Sequence, residues 1–218
     1  MRILKEGYSY IIPLVAVGGV LILISVTALP PPANIICQAL GNVLVVLSLF
    51  CMFFFRDPNI EITQGEGIIL SPCNGTVMDI CEEDGEKVIR VFLSVFSVHL
   101  QRAPFNGTVV DVVHKNGKFL AAWNPRAHIE NEQNIFTIQT GFGIMTIRQI
   151  AGLVARRCVA WVKPGDILKA GDKIGMIKFS SQVDLHLPVA AKVLVKPGDK
   201  TEAGITIVAA APGYPGAG

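Results

Sequence analysis

The pattern of apolar and polar positions divides the chain into two unlike parts. Residues 7–55 contain no Asp, Glu, Lys or Arg, and the run is broken only around Pro30-Pro31-Pro32. On either side, residues 10–28 and 35–55 are each long enough for a bilayer-spanning helix, which needs about 20 apolar residues. Three successive prolines cannot continue a helix and make a tight connection, while Pro13 falls in the first turns of the first helix, where it is tolerated. From Arg56 onward, short apolar runs lie between Gly, Pro and Asn signals. That is the pattern of β-strands joined by turns.

Within this second part the turn residues predict hairpins at Asn74-Gly75, at Asp84-Gly85 and around Gly141 to Gly143, with a further turn at Asn106-Gly107. A long apolar strand is predicted over residues 88–98, with His99 at its end. Residues 114–134 are polar and irregular and predict a surface loop, and 151–158 fit either a helical turn or a strand edge. Val162-Lys163-Pro164-Gly165-Asp166 recurs 33 residues on as Val195-Lys196-Pro197-Gly198-Asp199. Pro then Gly suits a type II turn, so both copies predict hairpins in related positions. Between them, residues 175–188 read as an apolar strand, a kink at Ser180-Ser181, and a half-buried strand. In that strand Val183, Leu185 and Leu187 alternate with Asp184 and His186. Residues 211–218 have too little apolar surface to pack and predict a disordered tail. The fold class is mostly β: 1–57 an anchoring helical hairpin, 58–210 a globular domain and 211–218 a tail.

Charge and cysteines narrow the setting. With 19 Lys+Arg against 17 Asp+Glu, the chain has no basic footprint and no nucleic-acid partner is expected. Arg2 and Lys5 before the first helix, and Arg56 after the second, place the globular domain on the cytoplasmic face of the cell membrane. The short proline turn leaves open a re-entrant hairpin lying in one leaflet. A cleaved signal peptide would have one apolar core and a small-residue cleavage site, which this pattern lacks. The five cysteines are scattered, and Cys37 and Cys51 lie inside the apolar segment. They are expected as reduced thiols, not disulfides or a zinc site. Asp184-Leu185-His186 lacks further ligands, so no metal is expected. The sequence fixes no oligomeric state and leaves a homodimer open.

Three segments carry candidate chemistry: Ser71-Pro72-Cys73-Asn74-Gly75, the stretch from Phe96 through His99 to Gly107, and Ser180-Ser181. A hydroxyl held at a strand kink is placed to attack its own backbone. A histidine at a strand end serves as acid or base, although a lone one there is more often satisfied by a backbone carbonyl. Together with residues 130–134, 149–157 and the Val-Lys-Pro-Gly-Asp turn, in that order, these segments resemble the phosphatidylserine decarboxylase proenzymes of the short prokaryotic type. The resemblance covers nearly all of residues 50–210 and the helical hairpin. It implies cleavage between Ser180 and Ser181, with Ser181 attacking the carbonyl of residue 180 and ending as the pyruvoyl group of a new chain. That pyruvoyl cofactor would serve to convert a phosphatidylserine-type phospholipid, acyl-ester or archaeal ether, to the ethanolamine lipid and CO₂. His99 is implied as general acid/base. Arg102, Arg156 and Arg157 are candidates to meet the lipid phosphate, while His114, His128 and His186 match no catalytic position. The repeated turn resembles those of biotinyl- and lipoyl-type domains, implying a barrel-sandwich-like arrangement of hairpins.

Two departures bear on cleavage. Asn74 stands where the family has an aspartate, and Ser180 where it has a glycine. An amide neither fixes a histidine tautomer nor stabilises imidazolium as a carboxylate does, and serine resists backbone angles that glycine permits. Slow or stalled processing is therefore expected. The alternative reading is a catalytically inactive relative, or a membrane-anchored barrel-sandwich carrier or adaptor module. In a carrier Lys178 would be the modified residue, but it lacks the Met-Lys-Met-like setting of biotinyl hairpins.

Overall fold

A computed structural model describes residues 2–120, 126–152, 157–178 and 181–214. It divides into two compact units, Met1–Asn59 and Ile60–Gly218. In the first, β1 (Arg2–Ile3) precedes α1 (Lys5–Thr27) and α2 (Ala33–Phe54), and β2 (Arg56–Asp57) pairs back on β1. α1 starts earlier than the apolar run predicts, which leaves Pro13 well inside it. The helices meet where side chains vanish. A Cβ on Gly18 would stand 3.0 Å from Gly41 O, and one on Gly41 2.8 Å from Gly18 O, so these glycines let the backbones touch. Elsewhere Ile12, Leu23, Val26, Ile35 and Val46 are exposed, an apolar surface suited to lipid more than to water.

In the second unit β3 (Ile68–Leu70), β4 (Gly75–Glu83) and β5 (Glu86–Leu93) are followed by β6 (Leu100–Arg102), β7 (Gly107–Lys115), α3 (Ala127–Glu130) and β8 (Gln133–Thr140). Next come β9 (Gly143–Ala151), β10 (Arg157–Ala160), β11 (Ile167–Leu168) and β12 (Lys173–Lys178), and then β13 (Ser181–Pro188), β14 (Lys192–Val193), β15 (Lys200–Thr201) and β16 (Ile207–Ala210). Among the described residues they form a curled eight-stranded sheet, β11-β7-β8-β9-β13-β5-β4-β15, and two three-stranded sheets, β10-β12-β6 and β14-β16-β3.

These orders are symmetric. Reading the large sheet inward from both ends matches β11 with β15, β7 with β4, β8 with β5 and β9 with β13, and the small sheets match in turn. The unit is thus two topologically equivalent halves, one of β3–β5 with β13–β16, the other of β6–β12. The match reaches fine detail. β4 bulges between Val77 and Asp79, and β7 between Val109 and Asp111. Arg102 N–H donates to Pro72 O and Leu70 N–H to Pro104 O, each at 2.9 Å. The sequence carries this second repeat as Asn74-Gly75-Thr76-Val77-Met78-Asp79 against Asn106-Gly107-Thr108-Val109-Val110-Asp111.

Only some turns are hairpins. Asp84-Gly85 closes β4–β5, with φ of 50° and 79° as a type I′ turn requires, and β8 turns directly into β9 at Thr140–Gly143. Asn74-Gly75 and Asn106-Gly107, by contrast, each lead from a small sheet into the large one. The two Lys-Pro-Gly-Asp turns do the same. Gly165 and Gly198 have φ of 93° and 95°, as a type II turn needs, and their N–H groups reach Val109 O and Val77 O at 2.8 Å. These four are corners between sheets, because a turn motif sets a chain reversal but not which sheet the next strand joins. The strand predicted over 88–98 stops at Leu93, and Ser97 N–H closes a turn onto Ser94 O at 2.9 Å. The predicted surface loop is partly internal, since Asn131 is fully buried and its amide bonds Leu120 and Ala151. The expected tail begins with packed residues: Ala211 is buried and donates to Gly67 O at 2.7 Å, and the Tyr214 ring lies against Gly67.

Candidate active site

The equivalence of the halves locates the site. In the second half β8 and β9 are joined by a tight hairpin, Thr140 pairing with Gly143. In the first half the matching strands β5 and β13 pair in the same way, Leu93 with Ser181, yet the whole second half is inserted between them. The chain therefore passes between halves twice, once over residues 94–99 and once between the end of β12 at Lys178 and the start of β13 at Ser181. His99 ends the first crossover. Ser181 follows the second, opening β13, where its backbone pairs with Leu93 on β5 and Ala151 on β9. Ile177 N–H donates to His99 O at 3.1 Å, so the two crossovers lie at one end of the unit. Ser180 lies outside the described residues.

His99 is 1% exposed. Its Nδ1 lies 2.9 Å from Ser97 O, and a carbonyl only accepts, so Nδ1 carries the proton. In the neutral ring the basic nitrogen is then Nε2. Sequence reasoning missed Ser97, because the partner is a backbone carbonyl that any residue would supply. The available signal was the alternation of Ser97, His99 and Gln101 within an otherwise apolar run.

Asn74 sits in a tightly laced corner. Ser71 Oγ donates to Cys73 O at 2.7 Å, and Thr201 Oγ1 donates to the same carbonyl at 3.1 Å. The Asn74 side-chain oxygen accepts from Ala203 N–H at 3.2 Å. Its counterpart Asn106 does the same with Ala170 N–H at 2.8 Å. The contact is therefore a structural lock common to both halves. Gly67 and Asn106, the counterparts of His99 and Asn74, line one cavity of about 490 Å³. The Arg102–Pro72 bond runs the His99 strand alongside the Asn74 corner in the same manner. Burial drives the Cys73 thiol well up and the Cys158 thiol up to about 12, so neither is a nucleophile.

Of the phosphate candidates, Arg102 is buried and donates to Gly171 O at 2.8 Å, a structural role. Arg156 lies outside the described residues. Arg157 is exposed and pairs with Lys178 at the end of β12. Among the described residues no group of acids, histidines or cysteines could hold a metal ion. His114 is exposed, with Nδ1 2.8 Å from Asn134 Oδ1, and the His128 carbonyl accepts from Gln133.

The strand 183–187 alternates as predicted, but its polar side is not open to water. Asp184 and His186 are 1% and 2% exposed. Arg90 on β5 lies 3.5 Å from the Asp184 carboxylate, Arg148 pairs opposite it on β9, and Gln182 donates to it at 2.6 Å. Burial still pushes the Asp184 carboxyl up to about 6. His186 contacts Glu86 at 3.0 Å, and burial with the nearby Arg148 and Arg90 lowers it to about 4. The histidine takes up its proton more easily unfolded, so it erodes stability as pH falls from about 6.5 through 4. Asp184 works the other way, contributing stability below its unfolded pKa that is lost as pH rises through about 6. In His186→Gln the melting temperature should fall less between pH 6.5 and 4 than in the parent. An identical slope would contradict this assignment.

A family model described as phosphatidylserine decarboxylase matches residues 47–209. Curated relatives named phosphatidylserine decarboxylase proenzyme match along almost the whole chain. The one from Symbiobacterium thermophilum is 37% identical over 218 residues, covering 96% of each chain. That from Carboxydothermus hydrogenoformans is 39% identical over 212 residues, 94% of each. That from Geotalea uraniireducens is 39% identical over 219 residues, 96% of this chain and 97% of its own.

Proposed function

The chain belongs to the phosphatidylserine decarboxylase family, and from that premise we propose that it is a membrane-attached, self-processing decarboxylase of a serine phospholipid. The observation that carries the reading is the Ile177 N–H bond to His99 O, which runs the strand ending at Lys178, shortly before Ser181, beside the segment bearing His99. Ser181 Oγ attacks the carbonyl carbon of Ser180, the C–N bond breaks, and an ester replaces the amide. His99 Nε2, the basic nitrogen of the tautomer held by Ser97 O, takes the hydroxyl proton. Elimination of the Ser180 carboxylate and hydrolysis, with loss of ammonia, leave a pyruvoyl group at position 181. That group supplies the electron sink for loss of CO₂. Its place suits the role, since residue 181 heads a central strand between β5 and β9. His99 would later return a proton to the substrate carbon. Arg157, exposed at the end of β10, is the described arginine best placed to meet the phosphate. The equivalence of the halves is what a barrel-sandwich-like fold would have, and a homodimer stays compatible with this reading.

The test is an intact-mass spectrum followed by a CO₂-release assay on phosphatidylserine vesicles. A fraction split into residues 1–180 and 181–218, active without added pyridoxal phosphate and inactivated by borohydride, is expected. Activity that required pyridoxal phosphate would sink the mechanism. The two apolar helices are read as an integral anchor with the globular unit on the cytoplasmic face. The full chain should stay with membranes through carbonate and high-salt washes and leave only with detergent; release without detergent would refute the anchor.

A further inference from the structure

We propose that Gln101 and Gln149 form a positioning bridge for His99, an inference that rests on the decarboxylase reading above. β6, in a small sheet, follows directly from His99, whereas Ser181 opens β13 in the large sheet. Near that end of the unit a chain of amides crosses the interior between the two sheets. Asn134 Nδ2 donates to Gln149 Oε1 at 2.9 Å, and Gln149 Nε2 donates to Gln101 Oε1 at 2.7 Å. Gln101 and Gln149 are both fully buried. Gln101 is two residues beyond His99, and Gln149 pairs with Val183, two residues beyond Ser181. Gly175, paired with Gln101, leaves the passage open, since a Cβ there would stand 2.8 Å from Gln149 Nε2.

The other half is an internal control. There the positions of Gln101, Gly175 and Gln149 are taken by Ile69, Ala209 and Leu187, all fully buried. Ile69 pairs with Ala209 beside the same bulge that flanks Gly175. The fold therefore closes this space with apolar groups where no chemistry is done. The amides do not favour stability either, because Gln101 Nε2 is buried without an acceptor among the described residues, an uncompensated desolvation. They occur in the half that carries His99. Apolar contact is non-directional, whereas a hydrogen bond constrains distance and angle together, and reacting groups need placement within about 0.5 Å. The bridge fixes the register of β6, and His99 with it, against the strand of Ser181.

The test uses the full chain in detergent, with Gln101→Met/Gln149→Met compared with Ile69→Met/Leu187→Met at the equivalent positions. The first pair should melt at or above the parent temperature, self-cleave at least tenfold more slowly by intact mass, and shift the His99 imidazole signal in histidine-labelled NMR spectra. The second pair should leave cleavage and that signal as in the parent. Parent-like cleavage and an unmoved His99 signal in the first pair would overturn the bridge. So would equal losses of melting temperature and cleavage in both pairs. If the parent is stalled, cleavage is compared in the Asn74→Asp chain; a chain that cleaves in neither background fails the decarboxylase reading, while the His99 signal still decides the bridge.

Discussion

Replacing His99 by alanine is expected to slow self-cleavage by about 10²–10⁴-fold, the usual share of a general acid/base. The imidazole is held with Nδ1–H on Ser97 O, so its Nε2 is the base, and no other described histidine lies on either crossover. His114 and His128 are on β7 and α3, and His186 is locked against Glu86. The same substitution should cut decarboxylation at least as far, because the pyruvoyl group would form that much more slowly. The effect is best read in an Asn74→Asp chain, where the cleavage signal is expected to be largest, by following intact mass over time. A cleavage rate unchanged by His99→Ala would remove the histidine from the mechanism.

Asn74→Asp is the second large effect, and it is a gain. In the serine-protease template, exchanging the aspartate for asparagine costs about 10⁴ because the histidine takes the wrong tautomer. Here Ser97 O already holds the tautomer, so what Asn74 lacks is only the negative charge that would stabilise imidazolium. An aspartate keeps one oxygen for Ala203 N–H and adds that charge. A gain of about ten- to a hundredfold in cleavage rate is expected, or about 1.4 to 2.7 kcal/mol off the barrier. It should exceed the gain from Ser180→Gly. Asn106→Asp is the matched control, since Asn106 makes the same lock to Ala170 N–H but has Gly67 at the position equivalent to His99, and it should leave cleavage unchanged. Equal acceleration by both aspartates would mean that the corner was loosened, not that His99 gained a partner. A Ser180→Gly chain that cleaved faster while Asn74→Asp did not would reverse the ranking of the two departures.

The helices and the β character were legible because they depend on local pattern: a long uncharged run, and alternation between turn residues. Asp84-Gly85 could be recognised as a hairpin because its left-handed backbone is set within two residues. The corners could not. Asn74-Gly75 carries an equally strong local signal, but the partner of its strand is decided by contacts more than a hundred residues away, as with Thr201 and Ala203. His99 and Ser181 stood out through the resemblance of their segments, while Ser97 acts through its carbonyl and leaves no mark in the sequence. Asp184 and His186 read as a solvated face because alternation reports polarity, not what lies over it. Arg90 and Arg148 arrive from the neighbouring strands to cover them. Asn74-Gly75-Thr76-Val77 and Asn106-Gly107-Thr108-Val109 read in the sequence as separate turns, and their equivalence emerges only once the order of the sheets shows two halves.

The insertion of one half into the other has a consequence for what happens after the bond at 180 breaks. β13 lies between β5 and β9 in the large sheet, and β16 pairs with β3 in a small one. A nicked molecule would thus be a fragment complex whose short chain supplies a central strand and cannot leave without exposing the core. It should stay assembled in native buffer. Once fully unfolded in urea, however, its two pieces diffuse apart, and regaining the fold becomes a second-order encounter in which refolding yield depends on protein concentration. The uncut precursor keeps the chain connection and refolds as a first-order process. Processing would therefore turn a reversible folder into one whose persistence depends on never fully opening.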